Sequence, residues 1–259
     1  MKKLMTIAAA ALCASVFADG ITSANVVGYQ TVSDVAGGKF KALAVQFEDV
    51  AGGEIAVKDL VTVGTPAGGA LISDGADQIW RWDTANATWI KYFYRTQRKT
   101  VYGWCKSGEE SATTDTIPAG ETFFFRRGTG SVATDLTLAG AVKEFKGSAQ
   151  YSAAGGQFVF MANPWPFETV IKDFANYQTS PSGGALISDG ADQIWRWDTT
   201  AATWIKYFYR TQRKVVYGWC KSGEESATTD TIPVGEGFFF RRGTGSASDT
   251  ITFSAPAAE

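Results

Sequence analysis

Apolar and polar positions alternate with a period of two through most of this chain, which is the signature of half-buried strands. Residues 40–47 set Lys41, Leu43, Val45 and Phe47 against Phe40, Ala42, Ala44 and Gln46. Residues 78–83 place Gln78, Trp80 and Trp82 on one face and Ile79, Arg81 and Asp83 on the other. After a connector ending at Ala87, residues 88–95 return with Trp89, Lys91, Phe93 and Arg95 opposite Ile90, Tyr92 and Tyr94, completing a predicted hairpin. Further strands are predicted at 21–35, 101–106, 121–127 with its three consecutive Phe, and 135–138, the last matched by 250–253. Helical spacing is confined to 54–61 (Ile55, Val57, Leu60) and 167–176 (Val170, Ile171, Phe174), each predicting a short helix or a single helical turn, so at most one short helix per domain. Gly- and Pro-containing turns at 36–38, 66–69, 73–75 and 117–120 punctuate the strands, and the polar stretch 107–116 reads as a loop. Many short strands with almost no helix predict an all-β fold, sandwich or barrel-like.

The pattern occurs twice. Residues 66–131 recur as 181–246, and only six of the 66 aligned positions differ. Two tandem homologous domains follow, 19–141 and 142–259, each long enough to bury its own core. The front third of each has diverged, and the turn Asn163-Pro-Trp-Pro166 belongs to the second copy alone.

Residues 1–18 read as a secretory signal peptide. Lys2 and Lys3 precede an apolar run, Leu4 to Val16, and Val16 and Ala18 occupy the small-residue positions before a cut at Asp19. The run is shorter than the ~20 residues that span a bilayer. Export to the periplasm, cell surface or exterior is therefore expected, with no membrane span.

Composition narrows the chemistry. The 259 residues contain no histidine, which excludes Ser-His-Asp and Cys-His catalysis, His-liganded zinc and imidazole pH switches. A net charge of −2 argues against nucleic acid as a partner. The reading is a non-catalytic protein without cofactor or metal, a secreted carboxylate-based hydrolase ranking third among the alternatives. The loop Ser73–Asp77 offers two carboxylates beside a Gly, for which an Asx turn is preferred over a Ca²⁺ site. After signal removal the cysteines are Cys105 and Cys220, at equivalent places in the two copies; buried free thiols are expected rather than a bridge.

The opening Val26-Val-Gly-Tyr29, the aromatic strand Trp80–Trp82 and the closing Ile232-Pro-Val-Gly-Glu-Gly-Phe-Phe-Phe240 resemble a family of secreted proteins of the Verrucomicrobia–Lentisphaerae bacteria. Its members carry a VVGY-type start and a PGxGFF-type closing strand; the first copy departs at Thr122, where the second has Gly237. The resemblance implies export and a β fold, and assigns no catalytic residues.

The candidate binding residues are Trp89, Lys91, Phe93 and Arg95, with Trp204, Lys206, Phe208 and Arg210 in the second copy. A strand face that interleaves rings with cations suits stacking on sugar rings with charged hydrogen bonds to their substituents. The competing reading lays Lys and Arg over a buried aromatic layer. The basic turn 95–99, with Arg126 and Arg127, would suit sulfated or carboxylated polysaccharide, or else is a solvated hairpin tip. Trp80 and Trp82 are expected to pack in the core. The function expected is an exported module binding polysaccharide through a duplicated surface; the alternative is a structural, self-associating envelope or extracellular protein.

Overall fold

The computed structural model describes residues 27–142, 148–163, 165–173, 176–177 and 181–254; the predicted signal segment lies outside them. The fold is all-β. The first repeat runs β1 (Val27–Val35), β2 (Phe40–Ala44), β3 (Phe47–Glu48), β4 (Ile55–Ala56), β5 (Thr62–Val63), β6 (Gln78–Asp83), β7 (Thr88–Gln97), β8 (Thr100–Lys106), β9 (Thr116–Ile117), β10 (Thr122–Arg126) and β11 (Thr134–Val142). The second runs β12 (Ser148–Ala153), β13 (Phe158–Ala162), β14 (Thr169–Val170), β15 (Asn176–Tyr177), β16 (Gln193–Asp198), β17 (Thr203–Gln212), β18 (Val215–Lys221), β19 (Thr231–Ile232), β20 (Gly237–Arg241) and β21 (Asp249–Ser254).

Each repeat is a sandwich of two main sheets, with a separate two-stranded ribbon, β4-β9 or β14-β19. A five-stranded sheet, β2-β10-β6-β7-β8 or β13-β20-β16-β17-β18, packs on a smaller sheet built around β11 or β21. The alternation explains the packing. Ile79, Tyr92, Phe123 and Phe125 point from the large sheet into a core shared with Val35, Leu136 and Leu138 of the small one. Their counterparts Ile194, Tyr207, Phe238, Phe240 and Ile251 do the same in the second repeat.

Two predicted elements change on closer view. Residues 40–47 form two strands, because the chain switches sheets: β2 pairs with β10, whereas Phe47 lies opposite Val142 on β11. Between them Val45 exchanges backbone bonds with Gly120 and Glu121. Of the two readings at 54–61 the single turn is the one that forms, a 3₁₀ turn at Val57–Asp59, shortened because Ile55 first pairs with Ile117 in a short strand. Its counterpart is the turn Ile171–Asp173. Phe174 of the predicted helix at 167–176 lies outside the described residues.

A buried ion pair closes each repeat. Asp77 is fully buried, binds Arg127 and accepts from the backbone N–H of Ala67 and Gly128. Asp192 holds Arg242, Ser182 and Gly243 in the same way. Both oxygens of each carboxylate are thus spent, which is what a buried charge requires. In the Ser73–Asp77 stretch the expected Asx turn is replaced by a reach-back: Asp74 accepts from Leu71 N–H at 2.8 Å at the start of a single 3₁₀ turn, Ile72–Asp74, while Asp77 serves the buried pair.

The two large sheets meet face to face. Their outer faces contribute Phe40, Trp80, Trp82, Trp89 and Phe124 from one repeat and Phe158, Phe160, Trp195, Trp197, Trp204 and Phe239 from the other. The contacts are reciprocal, as a pseudo-twofold axis demands. Trp82 Nε1 donates to the Phe158 carbonyl and Trp197 Nε1 to that of Phe40, both at 3.1 Å. Backbone bridges Leu43–Glu236 and Glu121–Met161 mirror each other. Trp80 and Trp82 lie outside the core of their own repeat: Trp82 meets Phe239 of the other repeat at 5.3 Å, and Trp80 packs edge-on against Phe40 of its own at 4.9 Å.

Candidate functional site

The period of two in β7 and β17 places Trp89, Lys91, Phe93 and Arg95, and likewise Trp204, Lys206, Phe208 and Arg210, on the outer face of each large sheet. The face is not one open platform, however. Three different covers divide it.

Trp89 and Trp204 are covered by the opposite repeat. Trp89 lies 5.1 Å from Trp82, 5.8 Å from Phe160 and 5.8 Å from Phe239, centroid to centroid. Trp204 lies 5.1 Å from Trp197 and 5.8 Å from Phe124. Most of these pairs are edge-on or tilted, the favoured geometry for packed rings, and leave no broad flat surface for a sugar. Two small clefts of about 200 and 150 Å³ remain between the repeats, lined by the rings themselves. Lys91 and Lys206 lie over Trp80 and Trp195, Nζ 4.1 Å from each ring centroid. This is the arrangement in which lysine roofs a buried aromatic layer.

Phe93 and Phe208 are covered by the turn of their own repeat. Phe93 packs with Ala76, Cys105 and Ile72, and Phe208 with Ala191, Cys220 and Ile187. The two cysteines therefore sit in separate clusters, free and buried, and burial pushes both thiols above their ordinary pKa.

Arg95 and Arg210 are 8 % exposed, yet loosely held. Arg210 Nη1 donates to the Glu224 carbonyl at 3.3 Å, and Nη2 to Gln212 at 3.3 Å and to the Glu225 carboxylate at 3.5 Å. Its Nε is buried without an acceptor among the described residues. Charge-assisted bonds normally close to about 2.7–2.9 Å. Arg95 repeats the pattern with Glu109, Gln97 and an ion pair to Glu110 at 3.8 Å. Tyr102 and Tyr217 stack on the two guanidinium groups at 5.0 and 5.1 Å.

Beside Arg210 lies a cavity of about 320 Å³. Phe208 and Ile187 form apolar wall, Arg210 supplies donors, and Ser188, Glu224 and Glu225 bring hydroxyl and carboxylate to it. All ten lining positions belong to the block that recurs, and none is among the six that differ. Of the predicted residues, the structure thus gathers Phe208 and Arg210 at one cavity, sends Trp204 to the contact between repeats and lays Lys206 over Trp195 of its own repeat. Ile187, Ser188, Glu224 and Glu225 were not legible as partners of the strand. They sit in two turns brought together only when Thr228 N–H bonds to the Trp219 carbonyl and the 185–188 turn folds over Phe208.

The basic cluster expected from Arg95–Lys99 with Arg126 and Arg127 does not assemble. Arg127 is consumed by Asp77, Arg126 lies over Phe40 at 5.5 Å, and Arg98 and Lys99 stand exposed at the hairpin tip. Among the described residues no helix is long and apolar enough to cross a membrane. In comparisons with known proteins, no family model matches the chain and no curated protein matches it.

Proposed function

We propose that this protein is an exported, non-catalytic binding module that offers one glycan pocket twice, at Phe93/Arg95 and at Phe208/Arg210. The observation that carries the reading is the cavity at Arg210, where an apolar wall and a nearly buried guanidinium stand beside hydroxyl and carboxylate groups. Carbohydrate demands that mixture: apolar surface for ring C–H groups and paired donors and acceptors for hydroxyls. Two such sites on one chain bind a polymer more tightly than either alone when the polymer spans both. Retention on immobilised polysaccharide tests it. The Arg95→Lys/Arg210→Lys double variant, folded as judged by its melting curve, loses retention, and either single variant loses the avidity; unchanged retention in the double variant refutes the site.

A second reading, self-association, rests on the sheet ends. β8 and β18 are edge strands. Val101, Val215 and Val216 on them are more than half exposed. Exposed apolar edges template pairing with another chain. A mass that rises with concentration in light scattering, and falls on Val101→Lys/Val216→Lys, supports it; a monomer at all concentrations removes it.

A further inference from the structure

We infer that the pocket at Arg210, and its twin at Arg95, selects neutral sugars by their vicinal hydroxyls and rejects acidic ones; this rests on the glycan reading above. The inference comes from the sign and type of the groups that meet there. Arg210 offers only donors, and Glu224 and Glu225 only acceptors. The lining therefore holds one positive and two negative side chains. Asp189, next to Ser188, adds a third carboxylate nearby, its Oδ2 held by Leu186 N–H at 2.8 Å.

A ligand carboxylate, sulfate or phosphate is acceptor-only. It would satisfy the guanidinium but face the acidic lip with nothing to donate, and like charges in a partly desolvated site repel. A hydroxyl is both donor and acceptor. Adjacent hydroxyls of a sugar ring accept from Arg210 Nη2 and donate to Glu225, slotting between two groups now 3.5 Å apart and loosely joined. The looseness is what makes the exchange cheap. Glu225 is 91 % exposed, so it shifts without disturbing the core, and the guanidinium's present bonds are all long. Stacking of Tyr217 behind the guanidinium fixes the plane from which its donors project. Arg95 repeats the guanidinium's surroundings, with the Glu109 carbonyl at 3.4 Å, Glu110 at 3.8 Å and Tyr102 at 5.0 Å, so two sites per chain are expected.

The test is calorimetric titration of the full mature chain with matched oligosaccharides, one series of neutral hexose oligomers and one of the corresponding uronic acids. Neutral oligomers are expected to bind at two sites and at least about tenfold more tightly than their uronate counterparts. Glu110→Gln/Glu225→Gln changes two exposed side chains and leaves the fold intact; it is expected to shrink that preference to about threefold or less by removing the repulsion. Tighter binding of uronates than of neutral oligomers, or a preference unmoved by the Gln pair, overturns the selectivity while leaving glycan binding standing. Absence of binding in both series overturns the glycan reading itself.

Discussion

The point where the two repeats meet on their axis makes the sharpest prediction. Thr122 and Gly237 occupy the same position of the recurring block, and the pseudo-twofold brings them together. A Cβ built on Gly237 would lie 1.8 Å from Thr122 Cγ2 and 2.9 Å from its Cβ. Only one of the two positions has room for a side chain. Thr122 is buried, and its hydroxyl donates to the Met161 carbonyl of the other repeat at 2.7 Å. Gly237→Ala therefore forces Thr122 to turn away. Overpacking costs about 1–3 kcal/mol. Breaking a buried hydroxyl–carbonyl bond costs about 1–3 kcal/mol more. Restricting the unfolded chain by replacing glycine returns ~0.4–1 kcal/mol. A net loss of about 1–5 kcal/mol is expected, read from urea unfolding followed by tryptophan fluorescence. Exchanging the pair, Thr122→Gly with Gly237→Thr, moves the side chain across the axis, where the equivalent Leu43 carbonyl awaits its hydroxyl. The exchange is expected to regain stability to within about 1 kcal/mol of the parent, a strong non-additive coupling. A Gly237→Ala variant as stable as the parent, or an exchange no better than Gly237→Thr alone, refutes the axis.

Other outcomes follow from the same geometry. Trp89→Ala with Trp204→Ala removes two rings that each touch the opposite repeat, and is expected to cost about 3–5 kcal/mol per site in unfolding free energy; a small loss of stability would mean the rings are free surface after all. Both cysteines, buried and with raised pKa, should react with a thiol reagent only as fast as the protein opens, so labelling within seconds under native conditions contradicts their placement. Tyr92 and Tyr207 donate to Asp115 and Asp230 at 2.7 and 2.6 Å, and burial, with those carboxylates, raises both phenols above the ordinary tyrosine value of 10.0. The folded state then holds protons the unfolded state has released, so stability present below pH 10 declines as pH rises past it. Tyr92→Phe/Tyr207→Phe should flatten that alkaline decline, and an unchanged slope would assign it to other groups.

Strands and their faces were legible because each carries its own period. Alternation sets Ile90, Tyr92 and Tyr94 apart as one face, and the large sheet turns Tyr92 inward; at residues 78–83 it points to the wrong face, because Ile79 fills the repeat's own core while Trp80 and Trp82 lie outside it. What alternation cannot say is whether an outward aromatic face meets solvent, a ligand or another sheet. Trp80, Trp82 and Trp89 look identical in all three cases. The answer lies in contacts between segments more than a hundred residues apart, such as Trp197 with Phe40. The arginines mislead for the same reason: Arg127 and Arg95 read alike as cations near a turn, yet one is neutralised by Asp77 and the other is left with long bonds. Distance to an acid remote in sequence separates a structural guanidinium from an available one.

The pairing of identical repeats also accounts for where the chain had to become unequal. Off the axis, a twofold contact joins unlike residues, Trp82 with Phe158 and Trp197 with Phe40, so one sequence serves both sides unchanged. On the axis, a residue meets its own copy, and any side chain competes with itself for a single space. Two threonines would overlap, and two glycines would leave the Met161 carbonyl without its hydroxyl and a void beside it. One of each fills the space and satisfies the carbonyl. Thr122 and Gly237 are thus the one difference in the block that the axis itself requires, and Gly237, at the start of a buried strand where glycine is otherwise costly, is explained by the side chain facing it.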